Sequence, residues 1–200
     1  IFGWLKKGTA LRRFRTVYIE VARKNGKTFL GSGIALYCGV ADREEGAEVY
    51  MAASDHRQAL ICFNEAKAII SKDKDLCDHF GIDYNKFNIF IPTTNSMIKA
   101  LPKDRDGSLD GFNIHCSIID ELHAHKTPAT YNALLTGTGA RNQPLIVAIT
   151  TAGFNRTSIC YEQRTHIVNV LESTFEDDAT FGVIYTLDED DDWKDPECWI

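Results

Sequence analysis

Long apolar runs are missing from this 200-residue sequence. None approaches the roughly 20 residues that cross a bilayer as a helix. The longest clusters, such as Leu145 to Ile149, have the length of buried strands. Paired cysteine signatures are missing as well. Cys38, Cys62, Cys77, Cys116, Cys160 and Cys198 form no C-x-x-C pair and keep no regular spacing, the usage expected of free thiols in an intracellular protein. There is no internal repeat and no leader pattern, since Ile1-Phe2-Gly3-Trp4-Leu5 runs straight into Lys6-Lys7. No methionine opens the chain, so residue 1 is not expected to be the natural start. What is present is ordinary: 44% hydrophobic and 25% charged residues. That composition excludes disorder, collagen and coiled coil for the chain as a whole.

The net charge of −6 hides an asymmetry. Residues 172–200 carry eleven acids and one base, Lys194, which leaves the first 171 residues at +4. Residues 1–30 hold eight Lys or Arg against one acid, Glu20. A basic front of this kind could touch phosphate, or could be a solvated face.

Along the chain, β-branched and apolar runs alternate with helical periodicity. Strands are expected at Phe14 to Val21, Ala47 to Ala52, Ile114 to Ile119, Leu145 to Thr150 and Phe181 to Leu187. Two short strands, Asn88 to Pro92 and Ser96 to Leu101, flank a Thr93-Thr94-Asn95 turn. Helices are expected over Thr28 to Cys38, Asp55 to Ser71, Ala129 to Thr136 and Ser158 to Leu171. In the first, Phe29, Leu30, Ile34 and Tyr37 fall near helical spacing. In the second, Ser54 or Asp55 supplies the cap, and Ala59, Phe63, Ala66 and Ile70 share a face. Lys103 to Gly111 reads as a loop. Strands separated by helices argue for an α/β fold with a mostly parallel, doubly wound sheet and flanking helices.

Three segments carry chemistry. Arg23-Lys24-Asn25-Gly26-Lys27-Thr28 follows a strand and opens a helix. That context lets successive backbone N–H groups face an anion at a helix N-terminus. Lys27 would reach the β- and γ-phosphates and Thr28 would ligate Mg²⁺. The full G-x-x-x-x-G-K-[ST] pattern is not met, because Val21 stands where its first glycine belongs. The second segment, Ile114 to Glu121, is an apolar strand ending in two carboxylates at the edge where open α/β sheets bind ligands. Asp120 could hold Mg²⁺ and Glu121 could act as general base on water. The third, Ile146 to Gly153, is a buried strand leaving through Thr150, Thr151 and Ala152. Beside the acidic strand it could sense a γ-phosphate, or it could be an ordinary strand exit.

These three segments, in this order, with Phe2-Gly3-Trp4 near the start and Trp193-Lys194-Asp195-Pro196-Glu197 near the end, resemble the large terminase subunit of tailed bacteriophages, in the branch related to HK97. The resemblance implies a P-loop NTPase of the additional-strand class, the ATPase domain of a DNA-packaging motor. Carried over, Arg23, Lys24, Asn25, Gly26, Lys27 and Thr28 match the variant Walker A motif and bind ATP, with Arg23 and Lys27 also catalytic. Asp120 and Glu121 match the Walker B aspartate and the catalytic glutamate. Thr28 and Asp120 would hold Mg²⁺. Thr150, Thr151 and Ala152 match the motif that couples hydrolysis to movement. Some relatives place a trans-acting arginine beside the glycine that precedes Walker B. Here Asp110-Gly111 stands at that place, and Arg105, or less readily Lys103, is the nearest substitute.

The implied cofactors are ATP and Mg²⁺. The implied partners are double-stranded DNA, the portal protein, the small terminase subunit and further copies in a ring on the portal, with no membrane. The site of action would be the cytoplasm of the infected or lysogenic host, outside the mature virion. On this reading residues 1–187 form the ATPase domain, with its adenine-recognition segment lying upstream. Residues 188–200 form an acidic connector toward a nuclease domain, and Asp188 to Asp192 are not nuclease ligands.

The remaining chemistry-bearing residues have plainer readings. His123-x-His125 is expected at a helix start or loop by the site rim rather than as a zinc pair. Lys6, Lys7, Arg12, Arg13 and Arg15 are expected as a surface cluster or a contact to DNA phosphate or a neighbouring subunit. Tyr18 and Phe14 are expected in the core, and Gln58 near the nucleotide site. The same residues also suit a helicase-like ATPase, or an assembly scaffold that no longer hydrolyses nucleotide.

Overall fold

The computed structural model describes residues 1–101, 111–188 and 190–199. Its frame is one eight-stranded sheet in the order β3-β4-β5-β2-β6-β7-β1-β8. The strands are β1 (Thr16–Glu20), β2 (Glu48–Ala52), β3 (Asp83–Tyr84), β4 (Asn88–Ile91), β5 (Ser96–Ala100), β6 (Ile114–Asp120), β7 (Leu145–Thr150) and β8 (Thr180–Ile184). The six from β5 to β8 in that spatial order are parallel, and β4 closes one edge as an antiparallel hairpin with β5, β3 pairing outside it. The expected mostly parallel, doubly wound sheet is therefore present.

Alternation along each strand builds two cores. Val17, Ile19, Val49, Met51, Ile118, Val147 and Ile149 face one side. Tyr18, Tyr50, Ile119, Ile146 and Ala148 face the other. Helices α1 (Lys27–Leu36) and α2 (His56–Ser71) cover the first face, and α4 (Ala129–Thr136) and α5 (Ile159–Leu171) the second. Burying each such side chain contributes about 1.5–3 kcal/mol. Sequences hydrophobic on both faces are what a doubly covered parallel sheet demands.

Helix α2 begins where expected: Asp55 caps it by accepting the Arg57 amide at 2.8 Å. Its face of Ala59, Cys62, Phe63, Ala66 and Ile70 is buried. Helix α1 corrects the sequence reading. Phe29, Leu30 and Tyr37 are exposed, and the buried side is Gly31, Ser32, Ile34 and Ala35. The reason is separation: a Cβ on Gly31 would stand 2.9 Å from Ile118 and 3.2 Å from Ile149. Only small residues let this helix lie so close over β6 and β7. A π-helical turn, Tyr37–Ala41, continues α1 toward the other end of the sheet.

A short helix, α3 (Lys74–Phe80), and the two-residue β3 lie outside the sequence-based assignment. Neither contributes a buried residue. Arg12 also departs from expectation. It is buried rather than part of a surface cluster, with its guanidinium on both oxygens of Asp42 at 3.1 and 3.0 Å. Arg13 pairs with Asp178, and Arg15 donates to the Asn142 carbonyl. Lys6 and Lys7 remain on the surface.

Candidate active site

The sheet order sets the site. Strand β7 lies between β1 and β6, so the loop after β1 and the acids after β6 start two strand spacings apart, roughly 10 Å. Helix α1 closes that distance by crossing β7 on its small-residue face. The result is a direct contact: the Thr28 hydroxyl donates to Asp120 Oδ2 at 3.1 Å.

The loop itself is built from the chain outward. Val21 still donates to the Thr150 carbonyl at 3.1 Å, the last tie to β7. The backbone then turns sharply, with φ of 66° at Lys24 and 70° at Gly26. This left-handed geometry suits glycine at position 26. Asn25 braces the turn by donating Nδ2–H to the carbonyls of Ala22 and Arg23, both at 3.2 Å. Lys27 is buried, and its ammonium donates to the carbonyls of Ala22 at 3.2 Å and Val21 at 3.5 Å. Arg23 and Lys24 are exposed at the mouth of the loop. The turn delivers amide N–H groups and the positive end of α1 to one point, which favours an anion.

The acidic wall is equally specific. Asp120 is 7% exposed. Burial pushes its carboxyl above the usual range, and the neighbouring Glu121 charge adds to this, against the Thr28 hydroxyl, the Glu121 amide and Lys27. A carboxylate so placed, beside a hydroxyl and short of positive charge, gains from a hard divalent cation. Two oxygen donors 3.1 Å apart fit Mg²⁺ chemistry. Glu121 has φ of 52°, an unusual conformation for a side chain-bearing residue. Its Oε2 is buried and makes no hydrogen bond.

Thr150 ends β7 beside this wall and Thr151 follows it. Both hydroxyls contact the ring of His123, at 3.1 and 3.3 Å. His123 lies in a 3₁₀ turn, Leu122–Ala124, and Ala152 is exposed just beyond. The structure thus brings Gly26, Lys27, Thr28, Asp120, Glu121, Thr150 and Thr151 to one rim. Gln58 accepts from the Ser54 hydroxyl at 3.2 Å, at the exposed start of α2, which follows the strand paired with β6. Arg105 and Lys103 fall in 102–110, outside the described residues. His125 is buried, and burial pushes its imidazole below the ordinary range. Among the described residues no cluster of three or more His, Cys, Asp or Glu is arranged to hold a metal.

One feature escaped the sequence. A cavity of about 750 Å³ opens beside the loop, lined by Val21, Ala22 and Asn25 on one side and by Ile184 to Leu187 and Cys198 on the other. Its two walls lie far apart in the chain, so no local pattern announces it.

A parallel sheet with a glycine-turned loop feeding a helix, an acidic strand one strand removed, and a hydroxyl-to-carboxylate contact between them defines a P-loop NTPase. Over residues 1–169 the sequence matches the family described as the terminase large subunit, ATPase domain, and the chain belongs to that family. It is 50% identical over 88 residues to Protein YmfN of Escherichia coli K12, covering 44% of this chain and 19% of that protein. It is 28% identical over 140 residues to the terminase large subunit of Enterobacteria phage HK97, covering 68% and 28%. The crystal structure of the HK97 large terminase shares the fold at a TM-score of 0.77 and 24% identity, over 92% of this chain and 38% of that one. The chain thus spans well under half the length of each of these relatives.

Proposed function

We propose that this chain is the Mg²⁺-dependent ATP-hydrolysing domain of a motor that drives double-stranded DNA into a procapsid. One observation carries the reading: Thr28 and Asp120 meet at 3.1 Å on the rim where the phosphate loop ends. The triphosphate would lie on the amides of Gly26 to Thr28, and Lys27 would exchange the carbonyls of Val21 and Ala22 for phosphate oxygens. Arg23 and Lys24 at the mouth, with Asn25 bracing the turn, would complete the ATP-binding loop. Arg23 would offset charge developing on the transferred phosphoryl group. The ribose and base would extend into the cavity between Val21 and Tyr185. Thr28 and Asp120 would hold Mg²⁺, which supplies charge neutralisation at the phosphates. Glu121, with a buried oxygen that makes no hydrogen bond, would orient water and accept its proton. Thr150, Thr151 and Ala152 would pass the outcome on.

The wider role rests on family membership. The portal protein, the small terminase subunit and sister copies in a ring would be partners, in the cytoplasm of the infected or lysogenic host. Arg105 would act in trans on a neighbouring copy. Residues 1–187 would be the ATPase domain, and the acidic stretch 188–200 would lead to an endonuclease domain. DNA would be held through its backbone by basic surface, independently of sequence and with strong salt dependence.

The test is Glu121→Gln in the intact protein. Hydrolysis should fall by about 10²- to 10⁴-fold, the range for a positioned acid or base, while a fluorescent ATP analogue with Mg²⁺ binds as before. Hydrolysis at the parent rate would remove Glu121 from the chemistry. Loss of binding as well would mean that it holds nucleotide instead.

A further inference from the structure

His123 lies at the junction of two functional groups that the proposed reading treats separately. Its ring Nδ1 is 3.2 Å from Glu121 Oε2, 3.1 Å from the Thr150 hydroxyl and 3.3 Å from the Thr151 hydroxyl. We infer that His123 is a positioning residue that ties the general base to the coupling threonines, through one ring proton for which Glu121 and the threonines compete. This rests on the reading of Glu121 as the base.

The donor and acceptor inventory fixes the direction of these bonds. The Thr150 hydroxyl spends its own proton on the Thr151 carbonyl at 2.9 Å. It also accepts the main-chain N–H of His123 at 3.1 Å. Toward the ring it can therefore only accept. An ionised carboxylate likewise only accepts. Only the Thr151 hydroxyl could donate to a bare Nδ1, so a hydrogen on Nδ1 satisfies more of these contacts, and that single N–H faces three oxygens. Glu121 Oε2 is the loser in the present arrangement: it is close, yet off the line of a hydrogen bond, and it is buried without another partner. A small rotation of the ring would give the proton to the carboxylate and withdraw it from the threonines. Any event that changes what Glu121 requires, such as engagement of a water for attack, is thereby felt at the end of β7.

The surroundings hold the ring at this crossing point. The left-handed turn at Glu121 swings the chain so that His123 falls against β7. Gly153 leaves room for it, since a Cβ there would stand 3.0 Å from the His123 Cβ. Beyond Thr150 the contacts continue, to Cys160 of α5 at 3.7 Å and from there to Tyr18 at 3.6 Å. The threonines thus reach a helix on the far face of the sheet.

Two measurements test this on the intact protein. The first needs no variant: selective ¹⁵N-histidine labelling at pH 8, with His123 assigned through its contact with Gly153. Nδ1 should resonate as the protonated ring nitrogen. A bare Nδ1 would make donation to Glu121 and Thr150 impossible and overturn the inference. The second compares His123→Ala with His123→Asn, whose amide nitrogen falls near the place of Nδ1. Alanine should lower kcat by about 10- to 100-fold, the range for partners that orient a reacting group, with the affinity for a fluorescent ATP analogue within about threefold. Asparagine should recover most of the loss. Parent turnover in His123→Ala, or asparagine no better than alanine, would reduce His123 to packing and overturn the inference. An unmodified protein that does not hydrolyse ATP would instead defeat the functional reading, with the tautomer still reporting on the ring.

Discussion

Two buried carboxylates occupy opposite rims of the sheet and are treated in opposite ways. Asp42, past the π-helical end of α1, receives Arg12 on both oxygens and His115 Nε2 at 2.7 Å. Asp120, at the other rim, receives only a threonine hydroxyl and one backbone amide, at 3.1 and 2.9 Å. Both are nearly dry, with side chain 8% exposed for Asp42 and residue 7% exposed for Asp120. The first carboxylate is matched by the chain's own cation and serves as a fastener. The second is left short of positive charge, which raises its carboxyl above the usual range. The difference teaches that a buried acid marks a ligand site when its own fold declines to neutralise it.

That comparison breaks first at Asp42. Replacing it with alanine strands the buried Arg12 and should cost about 3–5 kcal/mol in urea unfolding. A loss below about 1 kcal/mol would show that water reaches Arg12 and that the far rim is no fastener. Asp120→Asn should do the reverse. It removes a carboxylate that burial disfavours, so stability should stay within about 1 kcal/mol of the parent or rise. Mg²⁺-dependent nucleotide binding should be lost, and retained Mg²⁺ dependence would move the metal elsewhere.

Packing sharpens the contrast. Gly31→Val should cost about 1–3 kcal/mol and lift α1 from β6 and β7, weakening nucleotide binding as well, because the same approach brings Thr28 to Asp120. The smallest effect belongs to Asp177. Burial pushes its carboxyl up, but the Thr180 hydroxyl, His166 and the Ala179 amide outweigh this and hold it below the usual range. A depressed acid contributes stability that is present above its unfolded value of about 3.8 and is lost as pH falls through the lower folded value. Asp177→Asn should thus lower the urea midpoint slightly at pH 7, where the contribution is fully present, and the gap to the parent should close as pH falls below about 4.

Much of this was legible in the sequence, for reasons specific to each part. β1, β6 and β7 are almost wholly buried and largely apolar because both faces are covered, and their exits meet at the sheet's carboxyl edge. The phosphate loop was readable without its first glycine, because the turn's left-handed residues are Lys24 and Gly26, downstream of Val21. α1 was misread because large apolar residues announce a core, whereas this helix needs small ones to approach the sheet. Arg12 was misread because a basic neighbourhood suggests a surface, and its partner Asp42 comes 30 residues later. α3 bears no buried residue, so its signals were its caps alone, Asp73 and Gly81, around a helix too short to show a period. The contacts of His123 were invisible because a 3₁₀ turn has no usable period and its partners lie on another strand.

The placement of β7 has a mechanical consequence. It is laddered to β1 along one edge and to β6 along the other, so it cannot slide without tearing bonds on both sides. Its last rung is Thr150, paired with Glu20. On the proposed reading, a stroke leaving this rim would originate past that rung, in the exposed stretch from Ala152 to Thr157 that delivers the chain to α5, with the sheet behind it as the anvil.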